Sequence, residues 1–225
     1  MNRKYEFTGE TKNWIGRTFH RIRAVRDFGD VKAGDLGGWI ETESNLSNDG
    51  NAWVYGDARV SGDARVYGNA RVYGNAEVYG NAWVYGDARV YGNARVYGDA
   101  DVYGNAWVSG NAWVYGDARV YGNARVYGDA RVYGNAWVYG NARVYGRKHI
   151  LWISMIGSRD DTVTFMRAKD EKIIVAVGCF AGTIDEFSEK VKETHGDNEH
   201  AKAYMLAIEL AKLRIDLSEE EGGAE

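Results

Sequence analysis

Proline is absent from the 225-residue chain, and cysteine occurs once. The first absence removes the residue that cannot donate to a β-ladder, so unbroken strand pairing is permitted throughout. The second excludes an internal disulfide, and the lone Cys179 fits a reducing compartment. No apolar run approaches the ~20 residues that cross a bilayer as a helix. The opening Met1-Asn2-Arg3-Lys4-Tyr5-Glu6 lacks the apolar core of a secretory leader. A cytoplasmic protein without membrane contact is expected. The formal net charge is only −4, which gives no general attraction to polyanions, so nucleic acid is not expected as a partner. Histidine is scarce: His20, His149, His195 and His200 are all there are, and none falls between residues 51 and 146.

What the chain has instead is a period. Every sixth residue from Val54 to Val144 is valine, and an alanine stands two residues before each, from Ala52 to Ala142. The unit reads Ala-x-Val-Tyr-Gly-Asn/Asp, with Ser replacing Tyr at Ser61 and Ser109. Such self-similarity marks a solenoid. In a strand, alternate side chains share a face, so Ala and Val point one way while x and Tyr point the other. β-branched Val suits the strand, small Ala suits a narrow interior, and Gly-Asn or Gly-Asp supplies a corner that tolerates positive φ. Three such units close a triangular coil. Ile40 and Leu46 hold the same period before the repeats, with Asn48-Asp49-Gly50-Asn51 as a lengthened corner, and Ile150 and Ile156 keep step after them. About six coils follow, a rod of roughly 29 Å at ~4.8 Å per coil.

Grouping the units by three predicts the outer faces. One carries Arg65, Trp83, Asp101, Arg119 and Trp137 beside a column of Tyr67, Tyr85, Tyr103, Tyr121 and Tyr139. A second carries Arg59, Glu77, Arg95, Trp113 and Arg131, and the third Trp53, Arg71, Arg89, Trp107, Arg125 and Arg143. These side chains read as stacks between neighbouring coils. They also read as a contact surface, since exposed aromatic patches mark interfaces. A homo-oligomer, trimer or dimer, is expected through these faces or through the C-terminal module.

Three segments are expected. Residues 1–47 form an N-terminal β cap and first coil, 48–147 the solenoid, and 148–225 a small α+β module. In the cap, Tyr5–Thr8 and Thr18–Arg23 alternate as strands with a polar stretch between. In the module, Ile150–Ile156, Val163–Arg167 and Lys172–Val177 read as three strands. Thr183-Ile184-Asp185-Glu186 is a capping box opening a helix to His195. A second helix runs from Glu199 to Leu217, with Ala203, Leu206, Ala207, Leu210 and Leu213 as its apolar stripe. The tail Glu219–Gly223 reads as frayed.

The repeat resembles the hexapeptide motif of left-handed parallel β-helices, with Val54 and Ala58 at the aliphatic and small positions. The fold class implied is mainly β, a left-handed parallel β-helix of three hexads per coil between the two flanking elements. That family is best known for acyltransferases using acyl-CoA, whose general base is a surface histidine. Outside the repeats the chain resembles a family of bacteriophage and prophage hexapeptide-repeat proteins. The strings that carry this are Tyr5–Glu10, His20–Ala24, Asp27–Gly38, Ile156–Arg159, Gly178–Phe187 and Thr194–Asn198. That resemblance implies a phage-associated protein inside a bacterial host cell, and it brings no catalytic residues with it.

Catalytic constellations are weak. His149 ends the solenoid and is the one histidine a transferase would use there. His195, Asp197 and His200 read as a polar interhelical loop with Asp197 or Asn198 as N-cap rather than a metal cluster. Cys179 reads as a buried thiol at a strand end rather than a nucleophile. No catalytic residue, metal or cofactor is expected. The most informative chemistry is two loops able to present backbone donors to an anion, Gly157–Asp161 and Gly178–Thr183, the latter leading into a helix start. Ser158, Arg159, Thr164, Cys179, Gly182, Thr183 and His195 are the candidate ligand-binding residues. The function expected is non-enzymatic. The rod would be a rigid oligomerising scaffold, and its module would bind a host protein or sequester a phosphate-bearing, nucleotide-like small molecule. The alternatives are an acyl-CoA-dependent acyltransferase and a structural particle component.

Overall fold

A computed structural model describes residues 3–218, so the tail expected to fray lies outside the described residues. Strands β1 (Tyr5–Trp14) and β2 (Arg17–Ala24) form an antiparallel hairpin. The stretch expected to separate two short strands is instead ladder, because Thr11–Trp14 pairs with Arg17–His20 across the Ile15-Gly16 turn. Strand β3 (Leu36–Ile40) bridges this hairpin to the rod: it pairs with β2 antiparallel and with the Arg59–Val60 strand in parallel.

The rod consists of sixteen two-residue strands, β4 to β19, each an x-Val pair, from Trp53–Val54 at six-residue steps to Arg143–Val144. Each pairs in parallel with the strand three units away, so three sheets run along the rod, as the grouping by three requires. The ladder is regular. Arg95 N donates to Ala112 O at 2.9 Å, and Tyr97 N to Val114 O at 3.0 Å. From Ala52 to Val144 every repeat alanine and valine is fully buried. With Ile40 and Leu46 they form one continuous core, and Leu46 bridges Val66, so both leading positions keep the register across the lengthened corner.

Outside, the expected columns are present. Tyr67, Tyr85, Tyr103 and Tyr121 stack at 4.8–5.0 Å between centroids, and Arg125 and Arg131 lie 4.4 and 4.6 Å over Trp107 and Trp113. Asn81 and Asn69 each donate to an aspartate one coil on, at 2.8 and 3.0 Å. Ser61 interrupts a tyrosine column where the β1–β2 hairpin folds down, and Trp14 at its tip lies 4.7 Å from the Arg59 guanidinium. A tyrosine at position 61 would occupy that space.

The module has four antiparallel strands in sequence order: β20 (Ile150–Ile156), β21 (Asp161–Arg167), β22 (Ile173–Val177) and β23 (Phe180–Thr183). Helices α1 (Ile184–His195) and α2 (Glu199–Arg214) complete it. Three strands were expected. The fourth lies in the segment read as a glycine loop, because Phe180–Thr183 pairs back onto Ile174–Val177 through a turn at Gly178-Cys179.

The sheet has two occupied faces. Ile150, Met166 and Ala176 join the rod core, while Val163, Phe165 and Val175 join a second core with the helices. The module therefore caps the rod. Tyr139 Oη donates to Val175 O at 2.7 Å, and Thr164 Oγ1 accepts from Trp137 N at 3.2 Å. Lys169 N donates to Asn141 O at 3.1 Å. The first two of these bonds tie the last coil to the sheet, Thr164 satisfying the Trp137 N–H that the solenoid end would otherwise expose. Ile150 keeps the rod register, but Ile156 leaves it and packs with the helices.

The apolar stripe of α2 differs from expectation. Ala201, Tyr204, Ala207, Ile208 and Ala211 face the sheet, whereas Leu206, Leu210 and Leu213 are exposed. Apolar residues line both sides of this helix, and packing on α1 and β20 decides which side is buried. No helix among the described residues is long and apolar enough to cross a membrane.

Candidate functional site

The three connections on the far side of the module converge. The β20–β21 turn brings Ser158 and Arg159 forward, and the β22–β23 turn brings Gly178 and Cys179 beside them. The last turns of α1 add Lys190, Thr194 and His195, and Tyr204 of α2 closes the back. Together they line a cleft of about 360 Å³ floored by Val177, Phe180, Phe187 and Val191.

Close packing holds these parts in place. Gly157, at φ +77°, sits so near Tyr204 that a Cβ there would lie 2.0 Å from the phenol oxygen. Only glycine lets the Ser158-Arg159 turn approach the helix this closely. A Cβ on Gly178 would meet Asp161 Oδ2 at 3.3 Å and Arg159 Nη1 at 3.9 Å, so both side chains reach across that turn. Phe187 meets Tyr204 edge-on at 5.3 Å, and His195 lies 5.9 Å from the same ring.

The electrostatics favour a negative guest. Arg159 is exposed and has no ion pair or hydrogen bond among the described residues, so its five donors stay available. Lys190 adds a second cation, shared with Glu193 at 2.8 Å. Asp161 is the one carboxylate in the lining. Burial holds the Tyr204 phenol above its ordinary value, and Asp161 pushes it further up while Arg159 pulls it down; the protonated hydroxyl donates to Ile156 O at 3.5 Å.

The seven residues singled out from the sequence do not all meet. Ser158, Arg159, Cys179 and His195 line this cleft. Thr164 is buried at the joint with the rod, where its hydroxyl serves Trp137. Gly182 and Thr183 lie elsewhere, along a groove with Tyr139 and Lys169. The helix start there is already occupied. Thr183 Oγ1 accepts from Glu186 N at 3.3 Å, and the Glu186 carboxylate accepts from Thr183 N at 2.7 Å, so a carboxylate sits where an anion would. Those bonds hold the Glu186 carboxyl below its ordinary value. Cys179, expected to be buried, is an exposed free thiol on its turn. Lys190 and Tyr204 escaped sequence reasoning because a helix face is assigned only by what packs against it.

The other histidines bear on catalysis. His149 is buried at 6% exposure, and its Nδ1 accepts from Tyr145 N at 3.3 Å. Burial, reinforced by Arg167, lowers its pKa, so the ring is held neutral away from solvent. A base for acyl transfer has to reach substrate, and this one does not. Asn198, rather than Asp197, caps α2, accepting from Ala201 N at 3.0 Å. No metal-binding cluster occurs among the described residues.

Fold and repeat together define a repeat β-solenoid protein with a capping module. Comparison with known proteins agrees at that level. Segments 52–68, 64–80, 70–86, 88–102, 100–116, 112–127, 118–134 and 124–140 match the family described as YdcK Beta solenoid repeat. A 51-residue stretch is 45% identical to a protein of Escherichia coli (strain K12) named "Uncharacterized acetyltransferase YdcK". That stretch covers 23% of this chain and 15% of the relative.

Proposed function

We propose that this is a non-catalytic binding protein whose terminal cleft holds a small anionic ligand with a flat apolar part, a nucleotide-like molecule. The observation that carries the reading is the convergence of Arg159, which has no ion pair among the described residues, with Lys190 and Ser158 over an apolar aromatic floor that Tyr204 closes. Cations and hydroxyls suit phosphate or carboxylate, and the ring-lined floor suits a base or similar plate. The rod serves as a rigid support. The resemblance to phage proteins supports a setting inside a bacterial host, where holding a nucleotide-like signal would remove it from circulation.

Isothermal titration of the full chain with inorganic phosphate and adenosine monophosphate tests the reading. The nucleotide binds more tightly than phosphate, and Arg159→Ala weakens it at least about 10-fold, the ordinary loss for one charge-assisted contact. Absence of binding by either probe overturns it. Acetyl transfer is the competing reading, carried by the name of the relative alone. A thermal shift with acetyl-CoA that disappears in His149→Ala would favour it.

A further inference from the structure

We infer that the outer face of α2 is a dimerisation seam whose occupant is the α2 of a second copy of this chain, running parallel about a twofold axis. Leu206 is 72% exposed, Leu213 84% and Leu210 43%, a concentration of large apolar side chains on one helix face. With Ala203 they are spaced three, four and three residues apart, the alternation that keeps one stripe facing a partner helix. Ala203 is half-buried at the edge of the module core, and the three leucines turn away from the buried line Ala201, Tyr204, Ala207/Ile208 and Ala211, left exposed by the described residues. Packing on α1 and β20 already folds the helix, so the seam forms without paying for helix nucleation.

Two arguments select a second copy and set its direction. A twofold axis along the helix makes each leucine meet its own equivalent, so the stripe is complementary to itself without adjustment. The flanks then match in charge. Glu209 precedes the Leu210 position and Arg214 follows the Leu213 position, both on exposed residues. In a parallel pair a residue at the first flank faces the one five places further along the partner helix, so Glu209 meets the second copy's Arg214, twice by symmetry. A centred antiparallel pair sets Glu209 against its own equivalent instead. Within one copy Glu209 already lies 3.6 Å from Lys212, and Arg214 has no ion pair among the described residues, so in the dimer Arg214 joins a carboxylate shared with Lys212. The helices lie on the side of the module sheet away from the rod, so the dimer joins modules while the rods point apart. None of the seam leucines lines the cleft.

Sedimentation equilibrium of the full chain tests this. The expected species is a dimer, and Leu210→Glu raises its dissociation constant at least about 30-fold with the melting temperature of the monomer unchanged. Glu209→Arg alone weakens the dimer, and Glu209→Arg with Arg214→Glu restores it, which also decides the matter should Leu210→Glu misfold. In a Cys179→Ser background, Leu206→Cys crosslinks to itself in a parallel pair. A chain that stays monomeric at ~100 μM, or a dimer indifferent to both the leucine and charge variants, overturns the inference. The second outcome would put the interface on the aromatic faces of the rod.

Discussion

Gly98→Ala and Gly140→Ala make the same chemical change at equivalent corners and should differ in cost. Gly98 has φ +73°, and a Cβ there would lie 2.9 Å from the backbone nitrogen of Gly116 in the next coil. Gly140 has φ +62° and nothing within 4 Å of its Cβ position, because the rod ends there. Both variants place an L-residue in left-handed backbone, at about 1–2 kcal/mol. Only Gly98→Ala also drives a methyl into a backbone that cannot turn aside, adding about 1–3 kcal/mol for overpacking. The difference of ~1–3 kcal/mol corresponds to roughly 2–12 °C in melting temperature for a chain this size. Thermal unfolding followed by far-ultraviolet circular dichroism reads it. Hydrogen exchange should show faster amides around Gly98 and Gly116, since a solenoid coil depends on its neighbours. Equal losses in the two variants would refute the idea that glycine is demanded by coil-to-coil contact as well as by φ.

Other outcomes follow from buried ionisable groups and from the stacks. Lys4 is fully buried, its Nζ donating to Ala52 O at 2.8 Å, and burial, aided by Arg26, lowers its pKa from 10.5 to about 8. The unfolded chain therefore holds this proton to higher pH than the folded one, so stability rises with pH from about 8 towards 10.5, by about 3 kcal/mol in all. Half-buried tyrosines such as Tyr55, raised to about 12, oppose the trend above pH 10, so Lys4→Met should flatten urea-measured stability between pH 8 and 10. His149 has the same sign at lower pH. Its folded pKa is lowered, so its contribution is intact above 6.5 and is lost as pH falls below that value. His149→Gln should reduce acid sensitivity between pH 6.5 and 5 without changing stability at pH 8 beyond the loss of one hydrogen bond, about 1 kcal/mol. Trp107→Ala removes a ring between the guanidinium groups of Arg89 and Arg125, at 5.0 and 4.4 Å, and should cost about 1–3 kcal/mol by chemical denaturation.

The binding reading depends on how the module is built. Gly157 lets a turn press against Tyr204, the Gly178 turn stands beside it, and the end of α1 brings Lys190 and His195 across. Ser158, Arg159 and Cys179 stand in that cleft because glycine-bearing strand ends are recognisable as turns, and His195 because the end of the helix opened by Thr183 is legible too. Thr183 was marked as an anion-binding helix start, but the same Thr-x-x-Glu pattern that announces the helix also fills its N-terminus with the Glu186 carboxylate. Thr164 looked available as one more hydroxyl in a strand, but its place at the rod joint depends on a contact with Trp137, 27 residues away in sequence.

What the chain determines by itself is the rod. Valine, alanine and glycine at a strict period dictate inward face, outer columns and corners, because each coil repeats the environment of the last and local rules suffice. Only the tertiary structure decides the ends. Whether Phe180–Thr183 is loop or strand, which side of α2 packs inward, and whether the module caps the rod all depend on surfaces distant in sequence. On α2 both sides are apolar, so periodicity offers two answers, and packing against α1 and β20 selects the face of Ala201, Tyr204, Ala207, Ile208 and Ala211.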